Sequence, residues 1–196
     1  WFIDSCLKIG YLFPRAHAVA YVMMAFRIAW FKVYQPLAYY AAYFTIRAEG
    51  SFNAPVILKG LESQKAELAR IAALEHSTAV EKGNATVIEV AAEMYLRGME
   101  FLPIDLDRSD ASEFKMVDGK LLPPFNCIPA LGDAVAKEIV RARDEHLFTS
   151  KEDLKKRGKV SQSIIDTMDS MGILKNMPDE EQISLFLSLI HISEPT

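Results

Sequence analysis

Cysteine is scarce in this sequence, and its placement excludes two kinds of site. The 196 residues contain two cysteines, Cys6 and Cys127, which lie far apart and form no C-x-x-C pair. A disulfide framework or a zinc site needs more sulfur ligands at closer spacing. The cysteine content fits a reducing compartment, and we expect the protein to be cytoplasmic.

Long uncharged apolar runs are also missing. The segment Ala16–Ile46 is very apolar, but Arg27 and Lys32 interrupt it, and a proline at position 36 breaks it again. Its longest uncharged run, Val33–Ile46, has 14 residues. A helix that spans a bilayer needs roughly 18–20 apolar residues. We therefore predict buried helices in this segment and no membrane partner.

The chain has no overall excess of basic residues, since its formal net charge is −4. That value alone argues against a nucleic-acid-binding protein. The charge is unevenly spread, however. Residues 1–49 carry five basic and two acidic side chains, and residues 137–159 carry eight and five. A DNA-binding surface would lie in those two regions, where basic side chains predominate.

The residue pattern predicts a mostly α-helical fold with a small β-hairpin element. Predicted helices cover residues 2–10, 15–33, 36–47, 61–81, 85–97 and 133–143, and two short ones begin at Ser150 and Ser161 and end at Gly158 and Gly172. Gly83-Asn84 is expected to break the fourth helix from the fifth. Predicted strands cover residues 101–106, 112–117 and 120–122, and the dipeptide Asp118-Gly119 between the last two is typical of a hairpin turn.

The stretch from Pro124 to Arg143 carries the clearest functional pattern. A short apolar segment leads to a tight turn at Leu131-Gly132, and a helix begins at Asp133. Such a helix points free backbone N–H groups and its positive dipole end into the turn, where they can bind an anion such as a phosphate. The pattern resembles a helix-hairpin-helix, which binds the DNA backbone without reading sequence. With the two later short helices, it predicts a tandem helix-hairpin-helix unit over residues 125–175.

The residues predicted to contact DNA surround this turn. They are Leu131, Gly132, Ala134 and Val135 through the backbone, assisted by Lys137 and Arg141. Ala130 stands where the motif usually has its first glycine, and this departure is expected to weaken one contact. Asp133 is expected to cap the helix. The alternative is a purely structural corner between two helices. The basic run 155–159 is either a second backbone contact or a solvated charged face.

The end of the chain is predicted to be a flexible polar tail that begins at Pro178. It contains the short apolar peptide QISLF, residues 182–186. The final ten residues, LSLIHISEPT, resemble the translation of a transposon-type sequencing adapter. We therefore exclude residues 187–196 from functional interpretation.

Three stretches carry a family resemblance that covers residues 1–186. The stretch FPRAHAVAYVMMAFRIAWFKVYQPLAYYAAYFTIRAE is similar to the fingers of C-family bacterial replicative DNA polymerases. PIDLDRSDASEF, followed by LLPPFNCIPALGDAVAKEIVRAR, resembles the segment that enters their tandem helix-hairpin-helix domain. QISLF is similar to the clamp-binding peptide of the PolC-type polymerase III α subunit. The last helix and this peptide lie too close together for the OB-fold of the DnaE-type relatives.

The resemblance implies a C-terminal fragment of a longer polymerase, as expected for a chain that starts at Trp1. Residues 1–100 would be part of the fingers, 101–177 the duplex-binding domain, and 178–186 the tail with the clamp-binding peptide. The parent enzyme would be a DNA-directed DNA polymerase. Its implied partners are primer–template duplex DNA, deoxynucleoside triphosphates and the β sliding clamp.

The catalytic metal site is expected to lie outside this chain. Two-metal chemistry needs closely placed aspartates, and residues 1–100 contain only Asp4. Asp105, Asp107 and Asp110 cluster at an expected exposed turn, and the family has its catalytic aspartates upstream, in the palm. We therefore predict no catalytic residue and no metal ligand here. Mg²⁺ would bind elsewhere in the parent enzyme, and this fragment alone would be inactive.

The family resemblance also implies two further sites. Arg15, His17 and Tyr21, at the start of the fingers helix, are candidates for contact with the incoming nucleotide or the template. The alternative is a solvated arginine beside a packed histidine and tyrosine. The clamp-binding residues would be Gln182, Ile183, Leu185 and Phe186. Two other functions stay open, namely a non-enzymatic helix-hairpin-helix DNA-binding or repair scaffold, and a small helical interaction protein.

Overall fold

A computed structural model describes residues 1–9, 14–48 and 50–180 of the chain. The described residues form nine α-helices, a 3₁₀ turn and one two-stranded sheet. The elements are α1 (Phe2–Leu7), α2 (Arg15–Tyr34), α3 (Pro36–Arg47), α4 (Ala54–Ile57), α5 (Leu61–Ala72), α6 (Ala79–Leu96), β1 (Lys115–Val117), β2 (Lys120–Leu122), the 3₁₀ turn (Phe125–Cys127), α7 (Asp133–Glu145), α8 (Lys151–Arg157) and α9 (Gln162–Ser170). The predicted mostly α-helical fold is confirmed. The chain divides into two compact units, residues 1–40 and 41–196.

The first unit is dominated by α2. This helix follows Pro14, as the sequence predicts, and its apolar side chains lie on all of its sides. None of its residues is buried, so the expectation of a buried helix is not met within the described chain. Among the described helices, α2 is the one that is long and apolar enough to cross a membrane by length and composition alone. At its end the Lys32 ammonium lies 5.3 Å from the centre of the Tyr39 ring in α3.

The second unit has an aromatic core. Phe44, Phe52, Phe101 and Phe114 pack with ring centroids 5.1–6.1 Å apart, mostly edge to face. The backbone N–H of Phe114 donates to the Thr45 hydroxyl at 3.0 Å. These contacts join α3 to the segment that leads into the hairpins, so the hairpin region begins from a fixed support.

The predicted helix break at Gly83-Asn84 is wrong. The chain breaks between α5 and α6 instead, and Thr78 begins α6 with a capping box: its hydroxyl accepts from the Glu81 N–H, while the Glu81 carboxylate accepts from the Thr78 N–H. Gly83 lies inside α6, where a Cβ would stand 3.2 Å from the Ser51 hydroxyl oxygen. A close packing contact, not a helix end, therefore accounts for this glycine.

The predicted β-hairpin is confirmed. β1 and β2 pair antiparallel, and both turn residues have positive φ, 51° for Asp118 and 74° for Gly119. The first of these strands is shorter than the predicted 112–117. The short helix α4 lies between the predicted helices 36–47 and 61–81, where no helix is predicted from the sequence.

The predicted strand at residues 101–106 is wrong. Only an isolated bridge from Phe101 to Leu121 forms there. The Asp105 carboxylate then accepts the N–H groups of Asp107 and Arg108, which turns the chain. These side-chain hydrogen bonds compete with strand pairing. A pattern of alternating apolar residues in the sequence does not indicate that such bonds will form.

Candidate nucleic-acid interface

The first hairpin turn is built on a buried leucine. After the 3₁₀ turn, Ala130 adopts a left-handed φ of 64°, and Leu131 inserts into the core with 4% of its surface exposed. Gly132 then stands at the N-cap of α7, with an ordinary φ of −80°. The buried leucine fixes the turn, while Gly132 and the first two residues of α7, Asp133 and Ala134, are exposed.

Some backbone N–H groups at this turn are bonded within the fold, and others have no acceptor. The N–H groups of Val135 and Ala136 both donate to the Gly132 carbonyl at 3.0 Å, and the Leu131 N–H donates to the Ile128 carbonyl at 3.1 Å. Within the described ranges, the N–H groups of residues 132, 133 and 134 have no acceptor. Three unsatisfied donors and the positive end of the helix dipole therefore point out of the turn together.

Asp133 does not cap α7, and that prediction is wrong. Gly132 takes the N-cap position, which makes Asp133 the first helical residue. Its carboxylate instead accepts a hydrogen bond from the Asn126 side-chain amide at 3.0 Å. The cap is left without a side-chain acceptor, so the helix N–H groups stay available to an external anion.

The second hairpin repeats the first in its backbone. Lys159 has a φ of 53°, Val160 is buried with 3% of its surface exposed, and Ser161 is the N-cap of α9. The N–H groups of Ile164 and Ile165 both donate to the Ser161 carbonyl at 3.1 Å, as their counterparts do at Gly132. The predicted tandem helix-hairpin-helix is confirmed, although the first helix of the first hairpin is only a single 3₁₀ turn.

The helices of the second hairpin begin at the predicted residues. The Ser150 hydroxyl accepts the Asp153 N–H at 3.0 Å, which caps α8 as expected. Ser161 occupies the N-cap of α9, but its hydroxyl lies 3.0 Å from the Ser163 hydroxyl and makes no capping bond. At the other end, Gly172 closes α9 with a left-handed φ of 77°.

Most cations near the hairpins are engaged within the fold. Arg157 donates to the carbonyl oxygens of Ala142 and His146 and pairs with Asp153 at 2.9 Å. The Arg143 guanidinium donates to the Ser109 carbonyl at 2.6 Å. These two arginines are structural, since they tie α7 to α8 and to the segment before the hairpins.

Arg141 and Lys159 share a carboxylate. Arg141 binds Glu138 through two N–H donors at 2.8 and 3.1 Å and also pairs with Glu145 at 2.5 Å. The Lys159 ammonium lies 2.8 Å from the same Glu138 carboxylate. These hydrogen bonds, that of Arg141 first, lower the pKa of Glu138 to about 2, and Glu138 in turn raises the pKa of Arg141.

Two lysines remain available. In the described part of residues 137–159, Lys137 and Lys156 are exposed and form no ion pair or hydrogen bond. Lys137 lies about one helical turn after Ala134, on the same side of α7 as that residue. A free cation beside free backbone donors is an arrangement suited to a phosphate.

A cleft of about 500 Å³ opens beside the first turn. Its polar side chains belong to Thr45, Ser51, Asn53, Asn84 and Asn126, and the turn residues 129–132 also line it. The amide groups can donate or accept hydrogen bonds without adding charge. The first hairpin turn therefore borders an open cleft whose lining is both polar and apolar.

The three candidate nucleotide-binding residues, Arg15, His17 and Tyr21, lie on the first two turns of α2. The rings of His17 and Tyr21 lie 4.4 Å apart in a T-shaped contact, and Tyr21 is 64% exposed. Arg15 is exposed at the start of the helix. None of the three is buried within the described chain, and their contact with a nucleotide or template stays a prediction.

The tail residues Gln182, Ile183, Leu185 and Phe186 lie outside the described residues, as does the segment 187–196. Among the described residues, no group of three His, Cys, Asp or Glu side chains is placed to hold a metal ion. In the aspartate cluster, Asp105 pairs with Arg108 at 2.7 Å, and Asp110 pairs with Lys115 at 3.3 Å.

Sequence reasoning missed Glu138 at the interface, and it named Lys159 only within the basic run 155–159 and Ser161 only as the start of a helix. Glu138 and Lys159 matter because they form an ion pair between segments that are distant in the chain. A signal for Ser161 was present, since Val160-Ser161 repeats the order of Leu131-Gly132, an apolar residue before an N-cap. No local pattern indicates that Glu138 binds a cation of the other hairpin.

Comparisons with known proteins agree with this geometry. A family described as the helix-hairpin-helix motif matches residues 98–183. The chain is 52% identical over 186 residues to a PolC-type DNA polymerase III of Thermotoga maritima. It is 51% identical over 187 residues to the Bacillus subtilis protein of that name, and 53% over 188 residues to that of Pediococcus pentosaceus. Each match covers 95% of this chain but only 13–14% of the relative, so the chain spans about a seventh of their length.

Proposed function

Because the chain is homologous to the C-terminal part of PolC-type DNA polymerases III, we propose that it binds duplex DNA within a replicative polymerase. The backbone N–H groups at the two hairpin turns would each contact a phosphate. This mode of contact reads no bases, as a replicative enzyme requires when it moves over every sequence.

One observation carries the proposal: the two turns share one backbone arrangement, and free N–H groups lie at the start of α7. Gly132, without a side chain, permits close approach of a phosphate. Lys137 would add a charge-assisted contact. Leu131 and Val135 would support the site through packing and the helix backbone.

Arg141, unlike Lys137, is already paired with carboxylates. Its guanidinium is bound by two carboxylates, so a direct phosphate contact would require it to leave both. We assign the main cationic contact of the first hairpin to Lys137 and a supporting role to Arg141.

The reaction of the whole protein would be template-directed addition of deoxynucleotides to a primer end. Mg²⁺ and the catalytic aspartates would belong to the part of the polymerase outside this chain, and the enzyme would act in the cytoplasm. Residues 1–100 would form part of the fingers, with Arg15, His17 and Tyr21 at the nucleotide or template site. The rest of the polymerase would cover the apolar sides of α2, which explains an exposed apolar helix without a membrane.

The tail would attach the polymerase to the sliding clamp. Gln182 would form a hydrogen bond at a polar subsite, while Leu185 and Phe186 would fill an apolar pocket. Ordering a flexible peptide costs free energy, so we expect an affinity of about 1 μM.

DNA binding can be tested with duplexes of unrelated sequence. Fluorescence anisotropy with several labelled duplexes should give affinities that agree within about threefold, because backbone contacts carry no sequence information. Strong preference for one duplex would contradict the proposal.

Clamp binding needs a separate test with its own control. Replacing Leu185 and Phe186 with alanine should abolish binding to a purified bacterial β clamp and leave DNA affinity unchanged. Deleting residues 187–196 is the matched control and should leave clamp binding intact. Unchanged binding of the double variant would refute the clamp-binding peptide.

A further inference from the structure

Glu138 occupies the place where the two hairpins meet. It lies on α7, in the helix of the first hairpin, and its carboxylate binds the ammonium of Lys159, in the turn of the second, at 2.8 Å. Its side chain is 18% exposed, although that of Lys159 is 72% exposed. The carboxylate is thus a fixed acceptor to which an otherwise solvated lysine is bound.

Arg141 holds this acceptor in place. Its two N–H donors bind both oxygens of Glu138, and Glu145 binds Arg141 from the next turn of α7. A bidentate pair restricts the carboxylate more than a single contact does. Contacts therefore connect Arg141 and Glu138 of α7 to Lys159, the residue with left-handed φ in the second turn.

We propose that Glu138 is a positioning residue for DNA binding, because it fixes the second hairpin turn against the helix of the first. The two sets of backbone donors would then meet phosphates of one duplex at a set spacing. This inference rests on the proposed DNA binding. Two weak sites held at the correct spacing bind together far more tightly than either alone.

If Glu138 acted only through its negative charge, removing that charge would change the DNA affinity in the opposite direction from a loss of positioning. A carboxylate near a phosphate backbone repels it, so neutralising Glu138 would strengthen binding if this residue were merely a surface charge. The positioning role predicts weaker binding when the same charge is removed. The sign of the change therefore separates the two explanations.

The test compares two variants of equal net charge. Glu138→Gln keeps an oxygen acceptor for Lys159 and Arg141, whereas Glu138→Ala has none. Duplex affinity should fall in the order wild type, Glu138→Gln, Glu138→Ala, with about a fivefold loss for the alanine variant as the spacing is relaxed. Equal affinities of the two variants, at or above that of the wild type, would overturn the inference.

Glu145→Gln is the matched control. It removes a carboxylate that lies on the same helix and binds the same arginine, Arg141. Glu145 makes no contact with Lys159 in the described chain. Its affinity should equal or slightly exceed that of the wild type. If Glu138→Ala does not fold, Glu138→Gln must still bind more weakly than Glu145→Gln, and equal affinities would refute the inference. Absence of any DNA binding by the wild type would refute the proposed function instead.

Discussion

Ala130 and Lys159 adopt the same left-handed backbone conformation at equivalent positions of the two hairpin turns, with φ of 64° and 53°. Each is followed by a buried apolar residue and then by the N-cap of a helix. Neither is glycine, although glycine adopts this conformation at the lowest cost. The turns therefore depend on their packing and hydrogen bonds to hold a strained residue.

Replacing Ala130 with glycine should stabilise the protein. The left-handed conformation costs a non-glycine residue roughly 1–2 kcal/mol, and the greater freedom of glycine in the unfolded chain offsets part of the gain. We expect the free energy of unfolding to rise by about 0.5–1 kcal/mol in urea titrations. Ala134→Gly, in the first turn of α7, is the control and should lower that free energy. A less stable Ala130→Gly variant would contradict the assignment of strain.

Replacing Gly132 with alanine should separate DNA binding from stability. Gly132 has a φ of −80°, and a Cβ there would meet no atom within 4 Å, so the fold should tolerate it. The added methyl group would stand beside the free N–H donors and keep a phosphate away. We expect the unfolding midpoint to hold while duplex affinity falls about tenfold, the loss of about 1.4 kcal/mol expected for one charged hydrogen bond. Unchanged affinity would show that this turn does not contact DNA.

Lys137 and Arg141 should differ in their effect on salt dependence. Lys137 is free, so Lys137→Ala should reduce the magnitude of the slope of log K against log salt by about 1. Arg141 is bound to Glu138 and Glu145, so Arg141→Ala should leave that slope unchanged. The reverse pattern would assign the phosphate contact to Arg141.

Glu138 should stay charged far into the acid range. Hydrogen bonds from Arg141 and Lys159 lower its pKa from 4.5 to about 2. A lowered pKa in the folded state means that its contribution to stability is present above about pH 4.5 and is lost as the pH falls through about 2. The ¹³C chemical shift of the Glu138 carboxyl group, followed by NMR, should show this titration. In Arg141→Ala the pKa should move back toward 4.5, and an identical titration in both proteins would contradict the pairing.

Local patterns predicted much of the hairpin region. The start of α7, the Ser150 cap and the Asp118-Gly119 turn all depend on residues near in sequence, and all were placed correctly. The break between α5 and α6 was misplaced because Gly83 was taken as a helix end, whereas its role is to pack against Ser51. Spatial contacts of this kind leave no periodic signal.

The sequence predicted which segments form the candidate site, but not which of its basic side chains are already paired. The sequence places eight basic residues in 137–159, but it does not indicate which are already paired. Arg157 binds carbonyl oxygens of α7 and the residue that follows it, and Lys159 binds Glu138. Both contacts join residues more than ten positions apart, so only the folded chain shows that these cations are paired while Lys137 and Lys156, in the described part of this region, are not.

The most direct test of the account is the salt dependence of duplex binding by the wild-type chain. Neutralising about three phosphates with basic side chains releases the counterions bound to them, so log K should fall linearly with log salt with a slope near −3. The slope should be the same for duplexes of unrelated sequence. An affinity that does not change with salt would contradict the proposal that the hairpin turns bind the DNA backbone.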